Sequence, residues 1–420
     1  MENERGDIRG QSIKYDKLQT LMYHINKETL IKEHRKQNNN KASGIDKITK
    51  EEYEVNLYNN IEDLLNRMKK FGYRPQAVRR TYIPKGNGKL RPLGIPAYED
   101  KLVQGVMANI LNNVYEPRFL ECSYGFRPQR NAHMAIAKIK KCIMTKPVNY
   151  ILDTDIKGFF DNVDHKWLIK FLENDIEDKH FIRYVVRFLK SGIMEKEIIK
   201  ESLKGTPQGG LISPVLANVY LHYVLDEWVE KWIKPRSKGY VEIVRYADDF
   251  IVMFQYENEA KSFYEVLKKR LLKFNLELEE SKTRIIPFGR FRGTKDNFDF
   301  LGFTHINAKT RKGKYIVKHK TSKKKMKVKR KEFKMWMKDN MHKPISKIME
   351  TIKKKLIGHY NYYGINNNCK CLCDYYMYVK LSTYRILNRR HQKRSMTYEM
   401  FNRIWTGFEM PIPHIRVNIG

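Results

Sequence analysis

Val244-Arg245-Tyr246-Ala247-Asp248-Asp249-Phe250-Ile251-Val252-Met253 places two adjacent carboxylates in the middle of an apolar run. The β-branched and aromatic residues on both sides predict two strands, and the Ala-Asp-Asp between them predicts the tight connection of a hairpin. Two acids on a hairpin tip repel each other unless a cation lies between them, and a divalent metal with oxygen ligands is the usual solution. A solvated turn is the alternative if the segment is taken alone.

The net charge of the chain is the second strong feature. Its 420 residues include 82 Lys and Arg against 47 Asp and Glu, a formal net charge of +35. Residues 301–420 carry 29 Lys and Arg against 6 Asp and Glu, so +23 of that charge lies in the last 120 residues. A field of this sign attracts phosphate backbones and releases their counterions. Nucleic acid is therefore the expected partner, ahead of an anionic membrane surface.

The remaining composition predicts a folded protein of a reducing compartment. Hydrophobic residues make up 41% of the chain, enough to form cores. No stretch approaches the ~20 apolar residues that a membrane span requires, and the first residues do not resemble a targeting segment. The five cysteines lack the paired spacing of a zinc site, so free thiols are expected. We expect a cytoplasmic protein without a membrane partner.

The order of predicted elements indicates an α+β fold. Apolar residues at helical spacing predict helices within residues 10–75, and residues 81–96 predict a hairpin. Further helices are predicted near 99–115, 130–143, 164–190 and 213–232, with strands at 149–155 and 241–254. A mixed sheet backed by helices accommodates this order. After Phe303 the composition shifts to lysine-rich segments that we expect to be helical, with a domain boundary near 305–320.

A second apolar strand also ends in acids. In the strand at 149–155, alternation places Asp153 and Asp155 on one face, with Asp155 at the strand's end. If this strand lies beside the acidic hairpin, Asp155, Asp248 and Asp249 converge. Three carboxylates in one site match a pair of Mg²⁺ ions about 3.5 to 4 Å apart, the arrangement that activates a 3′-hydroxyl and stabilises leaving pyrophosphate. The predicted reaction is nucleotidyl transfer.

Two more segments agree with this chemistry. Residues 204–214 form a Gly- and Pro-containing loop that lets backbone approach a ligand before a helix opens at Ser213. Lys85 and Arg91 lie on the two arms of the predicted 81–96 hairpin, where they fit a clamp for a triphosphate. A structural turn or a solvated surface hairpin is the alternative for each segment.

The ordered motifs resemble the reverse transcriptases encoded by bacterial group II introns. The matching segments are Ile83–Pro96, Ser123–Pro128, Asp155–Asp161, Gly205–Asn218, Tyr246–Asp249 and Phe300–Phe303. The resemblance implies a right-hand polymerase fold in which the α-helical thumb follows fingers and palm. The implied division is 1–80 N-terminal extension and start of the fingers, 81–305 fingers and palm, 315–383 maturase or thumb domain, and 384–420 basic DNA-contacting tail. It resembles the compact form that lacks a His-Asn-His endonuclease domain.

The resemblance also implies roles for single residues. Asp155, Asp248 and Asp249 would bind the two metal ions, with the Ile156 carbonyl beside them. Nucleotide contacts would come from Lys85, Arg91, Gln208 and Phe160, whose ring would exclude a 2′-hydroxyl. Lys282 would be a general acid toward pyrophosphate, although a solvated lysine is the alternative. Contacts to primer, template or RNA would come from Tyr246, Phe300, Leu301, Gly302, Lys323, Lys324, Lys325, Lys327, Lys329, Arg330, Arg389 and Arg390.

The predicted function is RNA-directed DNA synthesis together with help in intron splicing and mobility. The expected cofactor is Mg²⁺, two ions per site, for which Mn²⁺ can substitute. The expected partners are group II intron RNA, an RNA template with a DNA primer, dNTPs and target DNA. Two alternatives stay open: a domesticated relative in host defence or DNA repair, and an RNA-binding splicing factor without polymerase activity.

Overall fold

A computed structural model describes residues 7–84, 90–195, 198–200, 204–205, 209–292, 295–390 and 396–420. The chain divides into two compact units, one of residues 1–132 and 152–285 and the other of residues 133–151 and 286–420. Among the described residues, no helix combines the length and the apolar character needed to span a bilayer. The predicted α+β class is confirmed, and the finer division into four functional segments stays a prediction.

The first unit contains most of the helices. Those of its N-terminal part are α1 (Ile8–Lys14), α2 (Lys27–Lys36), α3 (Lys50–Glu54), α4 (Leu57–Lys69) and α5 (Tyr98–Tyr115). Helix α6 (Ala132–Thr145) leads into the second unit. The first unit then continues with α7 (Phe159–Asn162), α8 (His165–Asp175), α9 (Lys179–Lys190), α10 (Ser213–Leu221) and α11 (Glu257–Lys273).

Two segments that were each predicted as one helix are not regular, continuous α-helices. The 164–190 segment breaks after α8 because the Asp178 carboxylate caps α9, accepting from the backbone N–H groups of His180 and Phe181. The 213–232 segment begins as α10 and continues through wider π-helical turns, His222–Asp226 and Val229–Ile233. Such turns carry one extra residue and often lie at functional sites.

Two four-stranded sheets organise the first unit. One has the order β2-β1-β4-β5 and is formed by β1 (Val78–Pro84), β2 (Leu90–Ile95), β4 (Ile193–Glu195) and β5 (Ile198–Lys200). Strands β1 and β2 are antiparallel and form the predicted hairpin. The other sheet has the order β6-β7-β3-β8 and is formed by β3 (Tyr150–Asp155), β6 (Val241–Tyr246), β7 (Asp249–Phe254) and β8 (Arg284–Pro287).

The β6–β7 hairpin is buried on both faces. Residues Phe250–Phe254 of β7 have no exposed surface, which explains why this strand reads as a continuous apolar run instead of an alternating one. A sheet covered on both sides is a rigid base for side chains at its ends. The acidic tip of the hairpin therefore sits on the most firmly packed part of this unit.

The second unit joins a three-stranded sheet to a helical bundle. The sheet has the order β11-β10-β9 and is formed by β9 (Asn297–Phe300), β10 (Phe303–Lys309) and β11 (Tyr315–Thr321). The helices are α12 (Lys323–Asn340), α13 (Ile345–Tyr363), α14 (Cys369–Leu387) and α15 (Tyr398–Gly407). Their core includes Phe303, Phe333, Leu356 and Tyr360.

The prediction of helices immediately after Phe303 was wrong. Residues 303–321 form strands β10 and β11, which pair antiparallel over their full lengths, and the lysine-rich helix starts at Lys323. The inward positions of the two strands include His305, Val317 and His319, all with no exposed surface. Lys318 and Lys320 of β11 lie on the alternate, less buried positions, so the lysine-rich composition conceals the two-residue period of a strand.

Candidate active site

The acidic tip is a two-residue connection between paired strands. Tyr246 and Asp249 form the last pair of the β6–β7 ladder, so Ala247 and Asp248 make the turn. Ala247 has a φ of 58°, in the left-handed region that tight hairpins require. A side chain at Gly125 would place its Cβ 2.3 Å from the Ala247 nitrogen, so only glycine lets the neighbouring segment approach this turn.

Asp155 and the hairpin acids belong to neighbouring strands. Strand β3 lies next to β7 in the sheet, and Asp155 is its last residue. Burial raises the pKa of Asp248, and the charge of Asp155 raises it further. The positive charges of Arg91 and Arg245 lower the pKa of the same carboxylate. The structure thus places both Asp155 and the predicted triphosphate contact Arg91 within electrostatic reach of Asp248.

Lys282 contacts Asp155 directly. Its ammonium donates to the Asp155 carboxylate over 2.5 Å, and this hydrogen bond raises the pKa of Lys282. Asp155 and Asp249 both favour the charged lysine. The backbone holds the arrangement, because the Glu279 N–H donates to the Asp155 carbonyl and Ile156 forms a bridge with Leu278. One cation already lies among the predicted metal ligands.

The donor chemistry fits a divalent cation with oxygen ligands. Three carboxylates from neighbouring strands offer oxygen only, the type of ligand that Mg²⁺ takes. A cation at Asp248 would offset both the burial and the repulsion from Asp155 that raise its pKa. In the part of the chain that the structure describes, the side chains as they stand form no preassembled group of three or more metal-binding residues. Lys282 engages Asp155 there instead.

Two glycines approach the elements that carry Phe160 and Arg91. Phe160 is half-buried on α7 and packs edge-to-face on Phe159, with ring centroids 5.4 Å apart. An added Cβ at Gly205 would come within 2.9 Å of the Phe160 carbonyl oxygen, and one at Gly209 within 2.5 Å of the Gly94 carbonyl oxygen. Gly205 therefore lies against α7, and Gly209 lies against β2, the strand that carries Arg91. Lys85 and Gln208 lie outside the described residues.

In the second unit, the predicted primer contact is a tight turn between β9 and β10. Leu301 and Gly302 both have positive φ, 49° and 78°. The Tyr362 hydroxyl donates to the Leu301 carbonyl over 2.8 Å, and the Tyr363 hydroxyl would lie 2.9 Å from a Cβ at Gly302. Phe300 is buried behind the turn. Tyr246 belongs to the first unit, where it ends β6 half-buried.

Helix α12 divides its six predicted RNA contacts between two faces. One face lines a cleft of about 780 Å³ with Lys323, Lys324, Lys327 and Arg330. On the other face, Lys325 lies beside Gly302 and the Lys329 ammonium lies 5.4 Å from the centre of the Tyr363 ring. Burial lowers the pKa of Lys329.

The two predicted contacts of the basic tail also differ from each other. Arg389 is exposed, whereas Arg390 donates to the Lys343 carbonyl. Burial lowers the pKa of Arg390. Arg389 is therefore the more available of the two for an external phosphate.

Sequence reasoning missed Arg245. This residue has no exposed surface and forms a bidentate ion pair with Asp226 inside the first unit. The sequence feature that could have identified Arg245 is a charged residue at an inward-facing position of an apolar strand. Its partner could not be found from spacing, because Asp226 lies on a separate π-helical turn.

The chain belongs to the reverse transcriptase family. Residues 83–305 match the family described as reverse transcriptase (RNA-dependent DNA polymerase). These residues include both acidic strands and the glycine loop. The family resemblance predicted from the motifs is confirmed.

Similarity to LtrA and YkfC agrees with this assignment. The chain is 44% identical to the group II intron-encoded protein LtrA of Lactococcus lactis subsp. cremoris over 170 residues, 40% of this chain and 28% of that protein. It is 30% identical to protein YkfC of Escherichia coli K12 over 310 residues, 65% of this chain and 78% of that protein. A telomerase structure from Candida albicans is similar with a TM-score of 0.45 and 12% identity, covering 86% of this chain and 69% of that one.

Proposed function

We propose that this protein is an RNA-directed DNA polymerase that works by nucleotidyl transfer at the tip of the β6–β7 hairpin. The observation that carries the proposal is the position of Asp155 at the end of β3, the strand adjacent to β7, which begins at Asp249 and is fully buried over Phe250–Phe254. Membership of the reverse transcriptase family supports it. The chain spans 28% of the length of LtrA. The activity is therefore proposed from this chain's own residues.

Asp155, Asp248 and Asp249 would hold two Mg²⁺ ions, or Mn²⁺ in their place, with the Ile156 carbonyl beside them. When bound, such ions supply charge stabilisation for the attacking and leaving oxygens of an in-line displacement. To bind a metal ion, the Asp155 carboxylate would release its hydrogen bond with the Lys282 ammonium. The ammonium of Lys282, whose pKa is raised, would then be free to donate a proton toward the departing pyrophosphate.

The nucleotide pocket would lie between α7 and β2. Arg91, which acts electrostatically on Asp248, would bind triphosphate oxygens together with Lys85. Phe160 would face the sugar, where an aromatic ring leaves no room for a 2′-hydroxyl, and Gln208 would line the same pocket. Gly205 and Gly209 approach α7 and β2 so closely that a side chain at either position would clash.

The partners would be an RNA template with a DNA primer, and group II intron RNA for a second, maturase activity. Similarity to the intron-encoded protein LtrA supports the second role. The basic faces of α12, the Leu301–Gly302 turn and Arg389 are the proposed contact surfaces, with target DNA at the tail. The charge of the second unit's sequence supports binding of phosphate backbones.

The test is primer extension on an RNA template with dNTPs and Mg²⁺. Asp248→Asn preserves size and removes the charge, and we expect extension to fall by at least about a thousandfold because transition-state charge stabilisation is lost. Asp63→Asn is the control, because Asp63 is an exposed carboxylate on α4. Full extension by the Asp248 variant would refute the metal assignment.

The maturase role needs a separate measurement. Asp248→Asn should still bind and splice a cognate intron RNA, because the proposed RNA surfaces lie elsewhere. If the DNA flanking the gene encodes no foldable intron, the splicing role falls and the polymerase proposal stands.

A further inference from the structure

Arg245 uses every N–H of its guanidinium inside the first unit. Nε and Nη2 donate to the two oxygens of Asp226 over 2.7 and 2.5 Å, and Nη2 also donates to Ser123 Oγ over 2.8 Å. Nη1 donates to Asn218 Oδ1 over 2.9 Å and to the Ala247 carbonyl over 3.0 Å. The five donors of an arginine fork are thus all satisfied without solvent.

One of these bonds ends on the catalytic turn. Ala247 precedes Asp248 and is the turn residue with positive φ, a conformation that is strained for a non-glycine residue. Such a conformation persists only where surrounding contacts over-determine it. The Arg245 side chain folds back over the adjoining turn and fixes the Ala247 carbonyl by a hydrogen bond.

The partners of Arg245 hold the same turn from outside. The Arg245 N–H donates to the Cys122 carbonyl, and the Tyr124 N–H donates to the Arg245 carbonyl. Asn218 accepts from Arg245 and donates to the Gly125 carbonyl over 2.7 Å. Gly125 in turn lies against the Ala247 nitrogen. These contacts therefore run from Arg245 through Asn218 and Gly125 back to Ala247 at the hairpin tip.

A buried ion pair is weak evidence for stability, because apolar residues of similar volume often stabilise a core as well or better. An apolar side chain at position 245 would, however, leave the Ala247 carbonyl without its donor. The geometry therefore favours a role in orientation over a role in stability alone.

We propose that Arg245 is a positioning residue of the active site: anchored by Asp226 and Asn218, it fixes the Ala247–Asp248 turn in the conformation that directs Asp248 toward Asp155. The inference rests on the proposed polymerase function for its catalytic consequence. Its structural consequence, the placement of the Asp248 carboxylate, can be measured independently.

The experiment compares Arg245→Lys with Arg118→Lys. Lysine keeps the charge but has three donors on one nitrogen, so it cannot serve Asp226, Asn218 and Ala247 together. Arg118 is the matched control, because it pairs with Asp175 over 2.5 Å and also bonds Ser12 and backbone carbonyls. Both variants lose an arginine–carboxylate pair with its surrounding hydrogen bonds, fully buried for Arg245 and part-buried for Arg118, and only Arg245 touches the turn.

Two readouts are taken at temperatures where each variant is folded. Mn²⁺ binding to the full-length protein, followed by electron paramagnetic resonance, should weaken at least about tenfold in Arg245→Lys and not in Arg118→Lys. The kcat of primer extension should fall about a hundredfold, as expected for a reacting group displaced by about 1 Å, with KM for dNTP changed little. Equal effects of the two variants on both readouts would overturn the proposal.

A second variant covers the case in which Arg245→Lys does not fold. Asn218→Ala leaves the Arg245–Asp226 pair intact and removes the link to Gly125, so it should weaken Mn²⁺ binding in the same direction; unchanged binding would contradict the inference. If the wild type binds Mn²⁺ without extending a primer, the polymerase proposal fails and the Mn²⁺ comparison still decides the role of Arg245. Absence of Mn²⁺ binding by the wild type would overturn both.

Discussion

Replacing Lys282 with methionine tests whether its ammonium competes with the metal at Asp155. The Lys282 and Asp155 side chains are 63% and 27% exposed, and exposed pairs of this kind contribute about 0–1 kcal/mol. A cation binding Asp155 must displace this partner, so removing it should tighten apparent Mg²⁺ affinity by up to about fivefold, the equivalent of ~1 kcal/mol. Stability should fall by no more than about 1 kcal/mol, because only this exposed pair is lost.

The assay separates this competition from general-acid catalysis. Mn²⁺ binding by Lys282→Met reports the competition directly, while kcat at saturating Mg²⁺ reports proton donation, whose loss should cost about 10²–10⁴-fold. Lys157→Met is the matched control, since Lys157 pairs with Glu277 over 3.3 Å at similar exposure. Metal affinity that is unchanged or weaker in Lys282→Met, relative to this control, would refute the competition. An unchanged kcat would remove the general-acid role.

Three further predictions test the nucleotide pocket and the second unit. Phe160→Ala should raise ribonucleotide use relative to dNTP use by about a hundredfold, measured as a ratio of kcat/KM values; an unchanged ratio would place the sugar discrimination elsewhere. Gly209→Ala brings a Cβ to 2.5 Å from the Gly94 carbonyl at a φ of 117°, so it should cost about 1–3 kcal/mol in urea unfolding and raise KM for dNTP; wild-type values would contradict the close packing. Burial lowers the pKa of His319 and of His359 to about 3, below the ~6.5 of an unfolded chain, so stability should fall as pH drops below 6.5, by up to about 1.4 kcal/mol per unit for each histidine; equal unfolding midpoints at pH 7.5 and 5 would contradict this.

The catalytic strands could be predicted because their signals are local. Residues 244–253 combine an apolar run with two acids, and the strand ending at Asp155 repeats that pattern. The structure places β3 beside β7, as the chemistry of three carboxylates required. The hairpin at 81–96 was equally visible, because a Gly-Asn-Gly segment separates two short β-type runs.

Other features depend on contacts that no sequence window contains. Lys282 meets Asp155 across 127 positions, and Arg245 meets Asp226 on a helical turn of irregular geometry. Strands β10 and β11 were not predicted because the segment is rich in lysine, a good helix former, and Lys318 and Lys320 alternate with the buried residues of β11. The two faces of α12 become distinct only when the neighbouring turn and cleft are known.

The most direct test of the account is the number of Mn²⁺ ions bound by the full-length protein with RNA template, DNA primer and a non-hydrolysable dNTP analogue. We predict two ions per chain in the wild type, and loss of at least one in each of Asp155→Asn, Asp248→Asn and Asp249→Asn. Two ions retained at wild-type affinity in all three variants would show that these carboxylates do not form the metal site, and the proposed mechanism would be contradicted.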